Sequence, residues 1–259
     1  MQGYEIMKIL RGGLLLIILT SGGCQCHRPT AQPTAVPFVA HRATTPIQVD
    51  GRLGKLSWKQ AEPVALDIPR DLRQQGQTLE ESGQARLLWD DQFLYVAFDF
   101  MDSDVVALGT EDDQEHHQLG DVAEVFLKPA EQTWYWEFHV SPAGLVSTYW
   151  HAGRGRFGLL VDVHVRPRFI QAAAQVQGTL NNDRDRDQGW TAEMAIPWSK
   201  LDRLGERADP KKNWTVLIAR YNYTRYRVGA TGPELSSAPV LPTPNYHLIE
   251  EYAPLKLVP

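Results

Sequence analysis

Cysteine is nearly missing from this chain. Its 259 residues hold two, Cys24 and Cys26, and both precede the region where a fold is expected. No disulfide staples that fold, so an exported domain of this kind depends on the size of its core. Cys24-Gln25-Cys26-His27 falls one residue short of the C-x-x-C-H pattern of covalent haem attachment. Positive charge is not in excess either. A formal net charge of -5 gives no support to a nucleic-acid surface, which calls for basic patches, and no long acidic tail points to a solvating role. The apolar run Leu14 to Leu19 is too short to span a bilayer, which takes about 20 residues. Catalytic signatures are absent as well: there is no G-x-S-x-G elbow, no H-E-x-x-H motif and no phosphate-binding glycine loop. Asp121 and Glu124 resemble a carboxylate pair, but three residues apart on a strand they point to opposite faces. A glycosidase needs two carboxyls across one bond.

What is present begins with an address. Lys8 and Arg11, the short apolar run and Thr20-Ser21-Gly22-Gly23-Cys24 describe a secretory signal over residues 1–23. The small residues before Cys24 resemble a bacterial lipobox, whose cysteine is lipidated. Ser21 stands where that pattern usually has Leu, so plain secretion stays open beside a lipoprotein of the cell envelope. Membrane contact is expected only through that lipid. Residues 24–46, rich in Pro, Thr and Ala, read as an extended tether that cannot build a core.

From 47 to 259 the chain alternates short apolar runs with turn signals. Trp190, Ala192, Met194 and Ile196 share one face of a strand that Pro197 closes. Leu94, Val96, Phe98 and Phe100 mark the core face of a hairpin strand after the turn Asp90-Asp91-Gln92. Further strands are read at 121–127, 134–140, 145–151, 161–166, 169–176 and 214–220. With helices of a turn or two at most, the pattern predicts an all-β domain, an antiparallel two-sheet β-sandwich of jelly-roll or immunoglobulin-like build.

Several blocks are familiar. I-Q-V-D-G-R-L-G-K-L-S-W-K-Q-A at 47–61, L-L-W-D-D-Q-F-L-Y-V-A-F-D-F-M-D at 87–102, L-G-D-V-A-E-V-F-L-K-P at 119–129 and G-T-L-N-N-D-R-D-R-D-Q-G-W-T-A-E-M-A-I-P-W at 178–198 resemble, in order and spacing, the carbohydrate-binding module family 9 domains. R-Y-N-Y-T-R at 220–225 and P-N-Y-H-L-I at 244–249 resemble the later blocks. The resemblance implies a sandwich related to the DOMON group that binds oligosaccharide or polysaccharide without catalysis and carries structural calcium. It also implies glycoside hydrolases as partners in polysaccharide catabolism.

Residue by residue, Trp58, Trp190, Trp198 and Trp214 are expected in the core. For the hairpin from Trp134 to His151, a four-residue loop sets Val140 against Leu145. One face then carries Tyr135, Glu137, His139, Val146, Thr148 and Trp150, with Tyr135 opposite Trp150 and Glu137 opposite Thr148. Two rings beside a carboxylate, an imidazole and a hydroxyl make a sugar platform; the bland alternative is a face covered by a loop. Asp183, Asp185 and Asp187 alternate like ligands of a calcium loop, with a solvated turn as the alternative. Glu111 to His117 also holds metal-ligating residue types, read as a solvated acidic loop. Arg220, Asn222 and Arg225 are read as holding a sheet edge, with ligand contact as the alternative. Two rival functions remain: a DOMON-type haem-binding or redox module using Met101 and a histidine, and a hydrolase whose site the sequence does not show.

Overall fold

The computed structural model describes residues 36–154, the backbone of 163–164, and residues 168–203, 205, 207–227, 229 and 231–259. The leader, Cys24 and the first part of the tether lie outside the described residues. Within the unit Thr34–Pro259 the strands are β1 (Phe38–Arg42), β2 (Val64–Ala65), β3 (Gly83–Trp89), β4 (Phe93–Met101), β5 (Val122–Pro129), β6 (Tyr135–Val140), β7 (Val146–His151), β8 (Val163–His164), β9 (Gln171–Gln177), β10 (Gly189–Pro197), β11 (Trp214–Asn222), β12 (Glu234–Ala238) and β13 (Ala253–Val258). Three short helices, α1 (Leu56–Lys59), α2 (Arg70–Gln74) and α3 (His116–Leu119), sit in the connections.

The mostly β expectation holds. In place of two separate antiparallel sheets, however, the strands form one mixed sheet in the order β8-β7-β6-β5-β11-β13-β1-β3-β4-β10-β9, with β12 on β11 and β2 on β3. The sheet curls towards a barrel, bringing β9 near β6 across the interior, where Phe169 meets Trp136 edge-on at 5.4 Å between centroids. The join is β1, which lies parallel to both β13 and β3. The reading of residues 24–46 as a tether is corrected at this point, because Phe38–Arg42 is a central strand with Ala40 fully buried. Alternation over five residues flanked by prolines does not separate a strand from an extended linker. Only the partner, some 215 residues away, decides.

Elsewhere the alternation reads directly. Trp190, Ala192, Met194 and Ile196 on β10 pair with Phe100, Phe98, Val96 and Leu94 on β4, and all eight are buried in one cluster. The turn between β3 and β4 closes on Asp90, whose Oδ1 accepts the backbone N–H groups of Gln92 and Phe93 at 2.8 Å each. Trp58, Trp190, Trp198 and Trp214 are all core residues, none more than 2% exposed.

The opposite face of β10 explains why two of the sequence blocks occur together. Glu193, 1% exposed, accepts the backbone N–H groups of Asp50 and Gly51 at 2.8 Å and the Trp58 indole N–H at 2.6 Å. Lys55 pairs with it at 2.7 Å. Thr191 adds a hydrogen bond to the Gly51 carbonyl at 2.7 Å. The V-D-G-R-L-G-K-L-S-W segment is thus fastened over β10 by one buried carboxylate.

Candidate binding site

The hairpin β6–β7 has a register one residue away from the expected one. Val140 faces Val146, not Leu145, across residues 141–145. Ser141 N–H donates to the Leu145 carbonyl at 2.9 Å, and Gly144 N–H donates back to the Ser141 carbonyl at 2.8 Å. Gly144 takes φ 77°, a left-handed conformation that glycine adopts at no steric cost. Tyr135 therefore faces His151, Glu137 faces Tyr149 and His139 faces Ser147. Thr148 and Trp150 turn to the other side, opposite Phe138 and Trp136, where Trp150 packs half-buried against the main core. The grouping of Tyr135, Glu137 and His139 is as expected; that of Trp150 and Thr148 with them is corrected by the one-residue slip, which reverses every side chain of β7.

The face that results is polar and buried. Glu124 on β5 stands opposite His139, and Tyr221 on β11 joins the same side. His139 Nε2 lies 2.6 Å from Glu137 Oε1 and 3.1 Å from Glu124 Oε1, and Glu137 Oε2 lies 2.7 Å from His151 Nε2. The segment around Tyr246 and His247 covers this face, with the Tyr135 hydroxyl 2.8 Å from His247 Nδ1. On another flank, the stretch read as a solvated acidic loop packs inward: α3 brings His116 to 2% exposure and His117 to within 5.9 Å of the His139 ring.

Burial sets the protonation of these groups. It pushes the Glu124 carboxyl up to about 8, against the attraction of His139. Burial opposes ionisation of Glu137 too, but hydrogen bonds from His139 and His151 hold it below the usual carboxylate range. His116 is driven down to about 4, by burial first and then by His139. His139 itself is raised, because Glu124 and Glu137 outweigh its burial.

The space on this face is small for a sugar. The cavity left between the side chains has a volume near 140 Å³, while ligand pockets run to about 300–1,000 Å³. Nor does a glycosidic bond lie between Glu124 and Glu137, because the His139 ring fills the space between their carboxylates.

An open cleft of suitable size lies at the ends of β3, β4, β9 and β10. It encloses about 620 Å³ and is lined by Glu80, Glu81, Met101, Gln177, Arg186 and Gln188 among others. Its floor is rigid. Buried Arg220 donates to the Met101 carbonyl at 2.9 Å and to Asp102 at 3.0 Å, and Asn222 donates to Glu81 at 2.8 Å. Burial raises the Asp102 carboxyl to about 6 despite the Arg220 charge. Arg225 pairs with Asp104 at 2.5 Å, so Arg220, Asn222 and Arg225 have the bracing role expected of them. At the rim the Arg186 guanidinium lies 4.9 Å from the centre of the Tyr226 ring, which is 40% exposed. Among the described residues, no hydrogen bond engages the amide side chains of Gln177 and Gln188.

The acidic turn borders this cleft. Asp187 points inward and accepts the N–H groups of Val105 at 2.8 Å and Thr179 at 2.7 Å. Gly178 makes this possible, since a Cβ there would stand 1.9 Å from the Asp187 carboxylate. Asp183 is exposed and Asp185 half-buried, and the three are not among the described groups whose ligand atoms gather around one point. Met101, considered above as an axial ligand, is 58% exposed.

Comparison with known proteins bears on this geometry. Residues 49–218 match the family model described as "Carbohydrate family 9 binding domain-like". No curated protein matches the chain. Among solved structures, a proposed carbohydrate-binding protein from Bacteroides uniformis is similar with a TM-score of 0.63 and 14% identity, over 86% of this chain and 100% of that one. A carbohydrate binding module of family 9 from Caldicellulosiruptor kristjanssonii, solved with cellotriose, is similar with a TM-score of 0.50 and 14% identity, over 86% of this chain and 93% of that one.

Proposed function

The chain belongs to the carbohydrate family 9 binding domain-like family, and on that premise we propose that it binds oligosaccharide or polysaccharide without cleaving it. The family match over residues 49–218 carries this reading, and the open cleft is the surface that suits it. A pyranose offers hydroxyls that both donate and accept. Gln177 and Gln188 line the cleft with amide groups that can do the same, and Arg186 and Glu80 supply a charged donor and acceptor beside them. At the rim Arg186 and Arg225 both lie over the Tyr226 ring, which holds the Arg186 guanidinium beside the cleft.

The leader would export this module, and a lipidated Cys24 with the residues between it and β1 would hold it at the cell envelope, where it retains glycan for partner glycoside hydrolases. The test is a glycan array probed with the purified protein, followed by chromatography of every glycan retained. Retention of one glycan class, recovered intact, is the expected outcome. An array with no retained glycan overturns the reading, and shortened products overturn its non-catalytic part.

A further inference from the structure

The covered face of β5, β6 and β7 contains more metal-ligating atoms than its own hydrogen bonds use. His117, Glu124 and His139 form one group whose ligand atoms all lie within 4.8 Å of one another, and Glu137, His151 and His247 form a second. We propose that this face is a site for a divalent d-block metal ion of the Zn²⁺ class. His117, Glu124 and His139 hold the ion, Glu137 joins from the same side, and the second group offers an adjoining position.

Four observations converge on it. First, the spacing fits: Glu124 Oε1 and His139 Nε2 are 3.1 Å apart, near the edge of about 3.3 Å for a tetrahedron with bonds of about 2.0–2.1 Å. Second, Glu124 Oε2 and His117 Nδ1 are buried without a hydrogen bond among the described residues, although native interiors rarely leave such atoms unpaired. Third, Glu124 and Glu137 both aim an oxygen at the same imidazole nitrogen. A proton on that nitrogen lies along one direction only, whereas a dication answers both carboxylates. Fourth, the surroundings are those of a metal site. The Tyr135 hydroxyl engages His247 Nδ1, fixing that ring of the second group. The cavity near 140 Å³ is bordered by His117, Glu124, Glu137 and His247, room for an ion with a water, and His117 with 28% side-chain exposure marks the way in. Imidazole with carboxylate, and no thiolate, is a donor set for Zn²⁺, Fe²⁺, Ni²⁺ or Cu²⁺, whereas Ca²⁺ and Mg²⁺ take oxygen alone.

The experiment uses the purified chain stripped by a chelator, titrated with Zn²⁺ by calorimetry in excess Ca²⁺, with Co²⁺ as a coloured probe of ligation. At least one equivalent of Zn²⁺ is expected to bind, and Co²⁺ is expected to show the intense visible bands of a low-coordinate nitrogen-containing site. His139→Gln should weaken binding by roughly a hundredfold. Glu124→Gln, which keeps the side-chain shape, should do so in a chain whose circular dichroism is unchanged. The proposal fails if the wild-type chain binds Zn²⁺ no more tightly than Glu124→Gln, if Ca²⁺ competes the ion away, or if Co²⁺ keeps the spectrum of its aqueous ion.

Discussion

Glu193 would be costly to remove, because four different partners converge on its carboxylate: two backbone N–H groups, the Trp58 indole and the Lys55 ammonium. Truncation leaves the two backbone N–H groups and the Trp58 indole without this acceptor, while Lys55 keeps Asp50 and the Arg52 carbonyl. Glu193→Ala is therefore expected to lower stability by about 3 kcal/mol in urea denaturation; a loss near zero would show that the segment over β10 is held by other contacts. His116 gives a prediction in pH. Its folded value lies near 4, below the ordinary 6.5, because burial and then His139 disfavour its charge, with Asp112 and Glu115 pulling the other way. Between pH 6.5 and 4 the unfolded chain takes up a proton that the folded chain refuses, so stability falls as pH falls through that window. Replacing His116 by Gln is expected to flatten this part of the pH–stability curve, measured by denaturant midpoints at pH 6.5 and 4.5.

At the scale of elements, the sequence was legible wherever one face was apolar and its partner lay next to it. The core faces of β4 and β10 follow from alternation, since Leu94, Val96, Phe98 and Phe100 on one and Trp190, Ala192, Met194 and Ile196 on the other share one side, while their pairing with each other does not. The β6–β7 hairpin was legible as a hairpin but not in register. Leu145 and Val146 are equally apolar, so the hydrophobic pattern does not choose between them. The turn chosen by Ser141 and Gly144 decides which one meets Val140. The buried polar face was half legible for the same reason: Tyr135, Glu137 and His139 were grouped, while Glu124, His117, His151 and His247 arrive from other elements through pairings that local spacing does not encode. Trp150→Ala is expected to cost about 2 kcal/mol, less than the ~3–5 kcal/mol of a fully buried Trp because the ring is only half-buried. It should leave the glycan affinity of the folded protein unchanged. Loss of binding with no loss of stability would return Trp150 to the ligand surface.

At the scale of the whole molecule, one short strand joins the two halves of the sheet. β1 pairs with β13 on one side and with β3 on the other, so a chain beginning at Ala43 exposes two inner edges at once. Such a chain is expected to lose its cooperative thermal transition, and an unaltered melting curve would mean that β13 and β3 find each other without it. The open cleft stands at the far ends of β4 and β10, braced by Arg220 and Asn222, and the account places sugar recognition there. The most direct measurement is calorimetric titration with every glycan the array retains, comparing the wild-type chain with a Gln177→Ala, Gln188→Ala double variant of unchanged melting temperature. The account predicts saturable binding to the wild type that the double variant loses, with the glycan recovered intact. Equal affinity in both chains would contradict it.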